Sequence, residues 1–100
     1  MTWPNILALA LCAAPIGAQS ADDAVARNLA ATCASCHGTQ GRSISRDIPS
    51  LAGMRKEKIV ADMKAFKSGE RPATVMHQLA RGYTDAQIDL VAAYFAARND

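Results

Sequence analysis

Cys33-Ala34-Ser35-Cys36-His37 is the stretch on which the reading of this chain turns. Two thiols three residues apart stand about one helical turn from each other and can share one side of a helix. An imidazole follows the second thiol directly. At that spacing each thiol can add to one of two vinyl groups on a single porphyrin edge. The two thioethers then swing the imidazole beneath the ring, where it coordinates iron. C-x-x-C-H is accordingly the attachment pattern of c-type haem. Other uses of the two thiols fit less well. A thioredoxin-like dithiol needs a βαβ setting, and no β-branched strand pattern occurs along the chain. A zinc site needs four ligands, and after residue 20 there are only Cys33, Cys36, His37 and His77, two of them adjacent. One covalent haem on Cys33 and Cys36, with His37 as proximal ligand, is the expectation.

The rest of the composition agrees with a small folded domain built around such a group. The chain has 100 residues, half of them apolar and 20% charged, with five aromatic rings and a formal net charge of +2. That charge is too small to argue for nucleic acid, and no run of eighteen apolar residues is present to span a bilayer. Residues 1–20 carry no Lys, Arg, Asp or Glu, and Ile6 to Ala14 is an unbroken run of small and apolar residues. Pro15 and Gly17 follow, then Ala18-Gln19-Ser20, with small residues at the two positions that a signal peptidase reads. Residues 1–20 are therefore expected to be a signal peptide, cleaved before Ala21, and 21–100 the mature domain in the periplasm. Cys12 does not mark a lipoprotein anchor, because Leu11 stands where a small residue belongs. An 80-residue remainder buries little surface and needs a staple. A bridge between Cys33 and Cys36 would close too short a loop to serve.

A haem that only carries electrons uses a sixth ligand, commonly Met or His. The candidates are Met54, Met63, Met76 and His77. Met63 shares helical spacing with Ile59 and Phe66, which core packing explains. Met54 comes only seventeen residues after His37. Met76 comes thirty-nine residues after it, enough chain to pass around the ring to its far face, and is the expected distal ligand. His77 reads as a solvated neighbour.

The periodicity is helical throughout. Asp22 or Asp23 is placed to cap a first helix reaching about Cys33, with Ala26, Leu29, Ala30 and Cys33 on one face. Residues 38–49 read as a loop. A second helix runs from about Arg55 to Ser68 and stops at Gly69. Pro72 to Arg81 holds a short helical turn bearing Met76. Thr84-Asp85-Ala86-Gln87 is a capping box opening a last helix, with Ile88, Val91, Ala92 and Phe95 buried and Tyr94 available to cover a ring. Between Arg42 and Arg81 nine basic residues stand against four acidic ones, either an ordinary solvated surface or a positive collar around the haem.

On these residues the chain resembles a small bacterial class I cytochrome c, over nearly all of residues 21–98. Ile48-Pro49-Ser50-Leu51-Ala52-Gly53 is similar to that family's Pro-x-Leu-x-Gly loop, and the resemblance implies that the Pro49 carbonyl accepts a hydrogen bond from His37. Phe66-Lys67-Ser68-Gly69-Glu70-Arg71, Thr74-Val75-Met76-His77 and Ala80-Arg81-Gly82-Tyr83-Thr84 are similar to the cytochrome subunit of flavocytochrome c sulfide dehydrogenases. In that pattern the methionine before the histidine is the distal ligand. Met54 stands where relatives often have glutamine.

The fold expected is all-α, a single class I cytochrome c domain wrapped around one covalent haem c. The function expected is electron transfer, with no catalytic residue in the chain itself. The resemblance implies a flavoprotein (FAD) sulfide dehydrogenase subunit as electron donor, and a downstream acceptor. A free periplasmic shuttle serving an oxidase or reductase is the alternative. A haem sensor or peroxidase fits less well, because no distal acid–base pair accompanies Met76.

Overall fold

The computed structural model describes residues 1, 2, 10 and 20–99. The expected signal peptide therefore lies almost wholly outside the described residues. Among the described residues the regular structure is helical: α1 (Ala21–Ala31), α2 (Ala34–His37), a 3-10 turn (Thr39–Gly41), α3 (Lys56–Ser68), α4 (Met76–Ala80) and α5 (Asp85–Ala96).

α1 begins two or three residues earlier than an Asp22 or Asp23 cap implies. Its cap is Ser20, whose Oγ accepts the Asp23 N–H at 3.2 Å. Asp22 and Asp23 fall in the first turn, where carboxylates complement the positive helix end rather than cap it. The helix stops at Ala31; Thr32 and Cys33, with tightened bonds to Leu29 O and Ala30 O, lead into the separate short helix of the two-thiol motif. Small residues on one face, Ala26 and Ala30, let α5 approach closely. α5 opens with the complete capping box: Gln87 N–H donates to Thr84 Oγ1 at 3.1 Å, and Thr84 N–H to Gln87 Oε1 at 2.9 Å. Two otherwise orphaned helix-end donors are thereby satisfied.

The core lies where α1 and α3 both meet α5. Ala30, Ile59, Val91, Ala92 and Phe95 are buried together, with Leu51, Met54 and Met63 packed against them. Phe95 is 1% exposed and is among the largest side chains fully enclosed. Tyr94 meets Phe95 edge-on, with centroids 5.2 Å apart, and carries the Arg98 guanidinium 4.3 Å over its ring. One face of the Tyr94 ring is thus covered by Arg98, just after α5. α4 rests on α3 and enters the core through Ala80. Its first residue is Met76.

Candidate functional site

Cys33 sits at the head of α2, and the first turn is closed by His37 N–H donating to the Cys33 carbonyl at 2.9 Å. The spacing of the motif thus becomes one helical turn. Both thiols are free; Cys33 is half-buried and Cys36 exposed. Burial pushes the Cys33 thiol up from its ordinary range, the Thr32 hydroxyl pulls it partly back, and neighbouring Cys36 adds a further rise.

His37 is buried, and its Nδ1 lies 2.7 Å from the Pro49 carbonyl oxygen. A carbonyl can only accept, so Nδ1 carries the proton. In the neutral ring Nε2 then keeps its lone pair, the atom a metal needs.

Two glycines make this arrangement possible. Gly38 leaves α2 at φ +88°, and a Cβ there would run into the Arg42 carbonyl. Gly41, at φ +79°, sits so close to the core that a Cβ would lie 2.7 Å from Phe95 Cδ1 and 2.9 Å from the Ala52 nitrogen. The same Gly41 carbonyl accepts from Leu51 N–H at 2.7 Å and Ala52 N–H at 3.1 Å, and Gly53 N–H donates to Phe95 O at 2.9 Å. Backbone therefore clamps the Pro49 loop to the loop after His37, and both to the end of α5. The glycine spacing carries a signal for this clamp, but composition alone gives it only as a loop.

The sulfur candidates separate by surroundings. Met54 and Met63 pack against the core cluster, Met63 together with Ile59 as its spacing suggests. Met76 is half-buried and is not part of that cluster. Val75 and Leu79, flanking it on either side in the chain, are 54% and 51% exposed. His77 departs from expectation: its Nδ1 is enclosed and has no hydrogen-bond partner among the described residues. Arg71 also differs from a free surface charge. Its guanidinium pairs with Asp62 at 3.0 Å and lies 4.8 Å from the centre of the Phe66 ring.

Three residues to which the sequence assigns no role of their own, Lys67, Tyr83 and Thr32, hold the Met76 segment. Lys67 Nζ donates to the Tyr83 carbonyl at 2.6 Å and approaches Asp85 at 3.6 Å, while the Tyr83 hydroxyl meets Thr32 Oγ1 at 2.7 Å. No local pattern announces these contacts, because Thr32 and Tyr83 are fifty-one residues apart. A cleft of about 470 Å³ beside α2 is lined by Cys36, Gly38 and Ile44 among others, and reaches neither His37 nor Met76. No helix among the described residues is long and apolar enough to cross a membrane.

The donor set suits a covalent haem c. It combines two free thiols one turn apart, a buried imidazole held by its Nδ1, and a methionine left outside the core. The family described as cytochrome c matches residues 23–97. The cytochrome subunit of sulfide dehydrogenase from Chlorobaculum tepidum is 48% identical over 67 residues, covering 67% of this chain and 60% of that one. Cytochrome c-554(548) of Halomonas halodenitrificans is 31% identical over 80 residues, 77% of this chain and 96% of its own. Cytochrome c4 of Pseudomonas aeruginosa is 35% identical over 82 residues, 81% of this chain but 41% of its own. The chain thus spans less than two thirds of the first and third of these relatives.

Proposed function

The chain belongs to the cytochrome c family, and on that premise we propose that it is an exported haem subunit taking electrons from a flavoprotein sulfide dehydrogenase. As a member of that family it carries electrons through covalently bound haem c and is not itself an enzyme. Cys33 and Cys36 hold the ring as thioethers, and His37 and Met76 ligate its iron. When bound, the haem supplies a one-electron change at a potential raised by His and Met ligation. The observation that carries the assignment is the His37–Pro49 contact, which fixes the imidazole beside both thiols with Nε2 available. Met76 is favoured over Met54 and Met63 because packing already accounts for those two.

The partner reading rests on the 48% identity to the sulfide dehydrogenase subunit and on the apolar surface beside Met76. Val75 and Leu79 are exposed apolar side chains next to that ligand, and Arg81 is exposed beyond them. Arg71 is withdrawn from such a contact by Asp62 and Phe66. A lasting subunit interface relies on apolar burial more than on screened charges. A free shuttle would show the opposite dependence, with rates falling steeply as salt rises. Oxidation of sulfide then belongs to the flavin partner, and the cytochrome passes single electrons to a downstream acceptor.

Export follows from the uncharged residues 1–20, with cleavage between Ser20 and Ala21 and a periplasmic mature chain. Such cleavage removes the Ser20 cap of α1 and leaves Asp22 and Asp23 to stabilise its first turn.

The intact mass of protein from the native host tests the assignment: it should equal residues 21–100 plus one haem that resists acid–acetone. Release of free haem would refute the thioethers. The ferric protein should show the weak near-infrared sulfur-to-iron band, absent in Met76→Ala. A flavin-containing complex should survive gel filtration in high salt, and Val75→Gln should weaken it more than Arg81→Glu. Finding only a salt-labile encounter would favour the shuttle.

A further inference from the structure

α4 has five residues and no side-chain cap at its N-terminus, so little within it fixes Met76. Its other end is held differently. Gly82 and Tyr83 continue its last turn, with Gly82 N–H on Leu79 O at 3.1 Å and Tyr83 N–H on Ala80 O at 3.2 Å. Ala80, at this junction, is fully buried at 0% exposure. From there Tyr83 makes two outward contacts. Its carbonyl accepts from Lys67 of α3 at 2.6 Å, and its hydroxyl meets Thr32 at 2.7 Å.

The direction of the second bond follows from a count of protons. Thr32 has one hydroxyl proton; the Leu29 carbonyl accepts it at 2.8 Å, whereas the Cys33 sulfur lies at 3.9 Å and is a weak, distant acceptor. A carbonyl has no proton to return, so Tyr83 O–H is the donor to Thr32. The three groups form a directed chain, Tyr83 to Thr32 to Leu29, whose members polarise one another. Thr32 immediately precedes Cys33, so this chain reaches from the Met76 helix to the thiol segment, and Leu29 roots it against the core.

We propose that Tyr83 is a positioning residue that straps the Met76 helix to the Cys33 segment through Thr32, and to α3 through Lys67, so keeping the sixth ligand in place. The inference rests on Met76 being that ligand. Without the strap the Met76 helix would lift more often, and a haem held by Cys33 and Cys36 would be more accessible to an outside ligand. A strap of this kind separates a closed electron carrier from an open ligand sensor by the hydroxyl of Tyr83 and its acceptor on Thr32.

The test uses the haem-loaded chain and reads the site separately from the fold. In wild type, the sulfur-to-iron band and the far-UV helical signal should be lost together in denaturant. In Tyr83→Phe the band should be lost first, and the ferrous protein should bind carbon monoxide roughly two- to twelvefold faster, the factor corresponding to one ordinary hydrogen bond. Thr32→Val should do the same, Thr32→Ser should restore wild-type behaviour, and the Tyr83→Phe/Thr32→Val double variant should be no worse than either alone. Band and helix lost together in Tyr83→Phe, an unchanged carbon monoxide rate, or Thr32→Ser behaving like Thr32→Val would each overturn the strap. Absence of the band from wild type would instead overturn Met76 ligation, and the strap with it.

Discussion

Between Cys33 and Gly53 the chain is held by its own backbone, whereas between Glu70 and Thr84 it is held largely by side chains reaching in from elsewhere. In the first region main-chain bonds close α2, join Gly41 to Leu51 and Ala52, and tie Gly53 to Phe95. Among the side chains that add to this, Ser50 Oγ accepts the Ser43 N–H at 2.9 Å, and His37 ends on the Pro49 backbone carbonyl. In the second region a main-chain bond, Arg71 N–H to Ala65 O at 3.2 Å, and the burial of Ala80 anchor the segment. Lys67, Thr32 and the Asp62–Arg71 pair supply the other ties to its five-residue helix. Backbone clamps buried beside a core open only with the fold, while exposed side-chain ties open locally at lower cost. The difference places rigidity on the thiol and imidazole side and adjustability on the sulfur side.

The largest effects should come from breaking the clamp where it meets the core. Phe95→Ala removes an enclosed ring from the meeting point of α1, α3 and α5, and should lower stability by about 3–5 kcal/mol. Gly41→Ala should cost about 3 kcal/mol, combining a non-glycine residue at φ +79° with overlap onto Phe95. Denaturant unfolding of the haem-loaded protein measures both. Because the new methyl meets Phe95 itself, the two changes should be non-additive: Gly41→Ala should cost less in a Phe95→Leu background. A full cost in that background would remove the ring contact from the explanation. In all these variants the near-infrared band should vanish with the helical signal, not before it.

The same contrast explains what could be read from the sequence. The thiol motif, the last capping box, Gly69 as the end of α3 and the α5 stripe are local patterns, and each sits within a few residues of its reading. The class of fold and the thiol side of the site were therefore legible. The first cap was misplaced because Ser20, Asp22 and Asp23 are all capping types, and only backbone geometry selects Ser20. The enclosure of His77 Nδ1 and the engagement of Arg71 were not legible, since both depend on how the chain folds back after α3. Tyr83 was visible as part of a resemblance but not as a tie to Thr32, because sequence spacing has no term for a contact across fifty-one residues.

A smaller effect should come from the capping box, which lies directly after Tyr83. Thr84→Ala removes an acceptor from Gln87 N–H and should lower stability by about 1 kcal/mol. This loss should shift the band and the helical signal equally, since α5 belongs to the core and unfolds with it. Placed beside Tyr83→Phe, it distinguishes weakening of the fold from loosening of the Met76 segment. Separation of the two signals in Thr84→Ala would mean that the start of α5 belongs to the adjustable region.

The smallest change in global stability should come from Asp62→Asn, with an informative dependence on pH. Burial pushes the Asp62 carboxyl up, but the Lys58 hydrogen bond and the charges of Lys58 and Arg71 carry it below its ordinary value. Lys58 Nζ lies at 2.8 Å and Arg71 at 3.0 Å, both on partly exposed side chains. Exposed pairs of this kind contribute about 0.2–1 kcal/mol each, less as salt rises. A carboxyl whose folded pKa is lowered binds fewer protons in the folded state than in the unfolded one through the acid range. Its stabilisation is therefore complete above the unfolded carboxylate pKa of about 3.9 and is lost as pH falls through the lower folded value. The gap between wild type and Asp62→Asn should be constant near neutrality, narrow through the acid range and shrink in high salt. Because Arg71 leads into the Met76 segment, the same substitution should cost the sulfur-to-iron band more than the helices. A gap indifferent to both pH and salt would show that the Asp62–Arg71 contact holds by shape alone, and would move that end of the segment into the rigid half of the molecule.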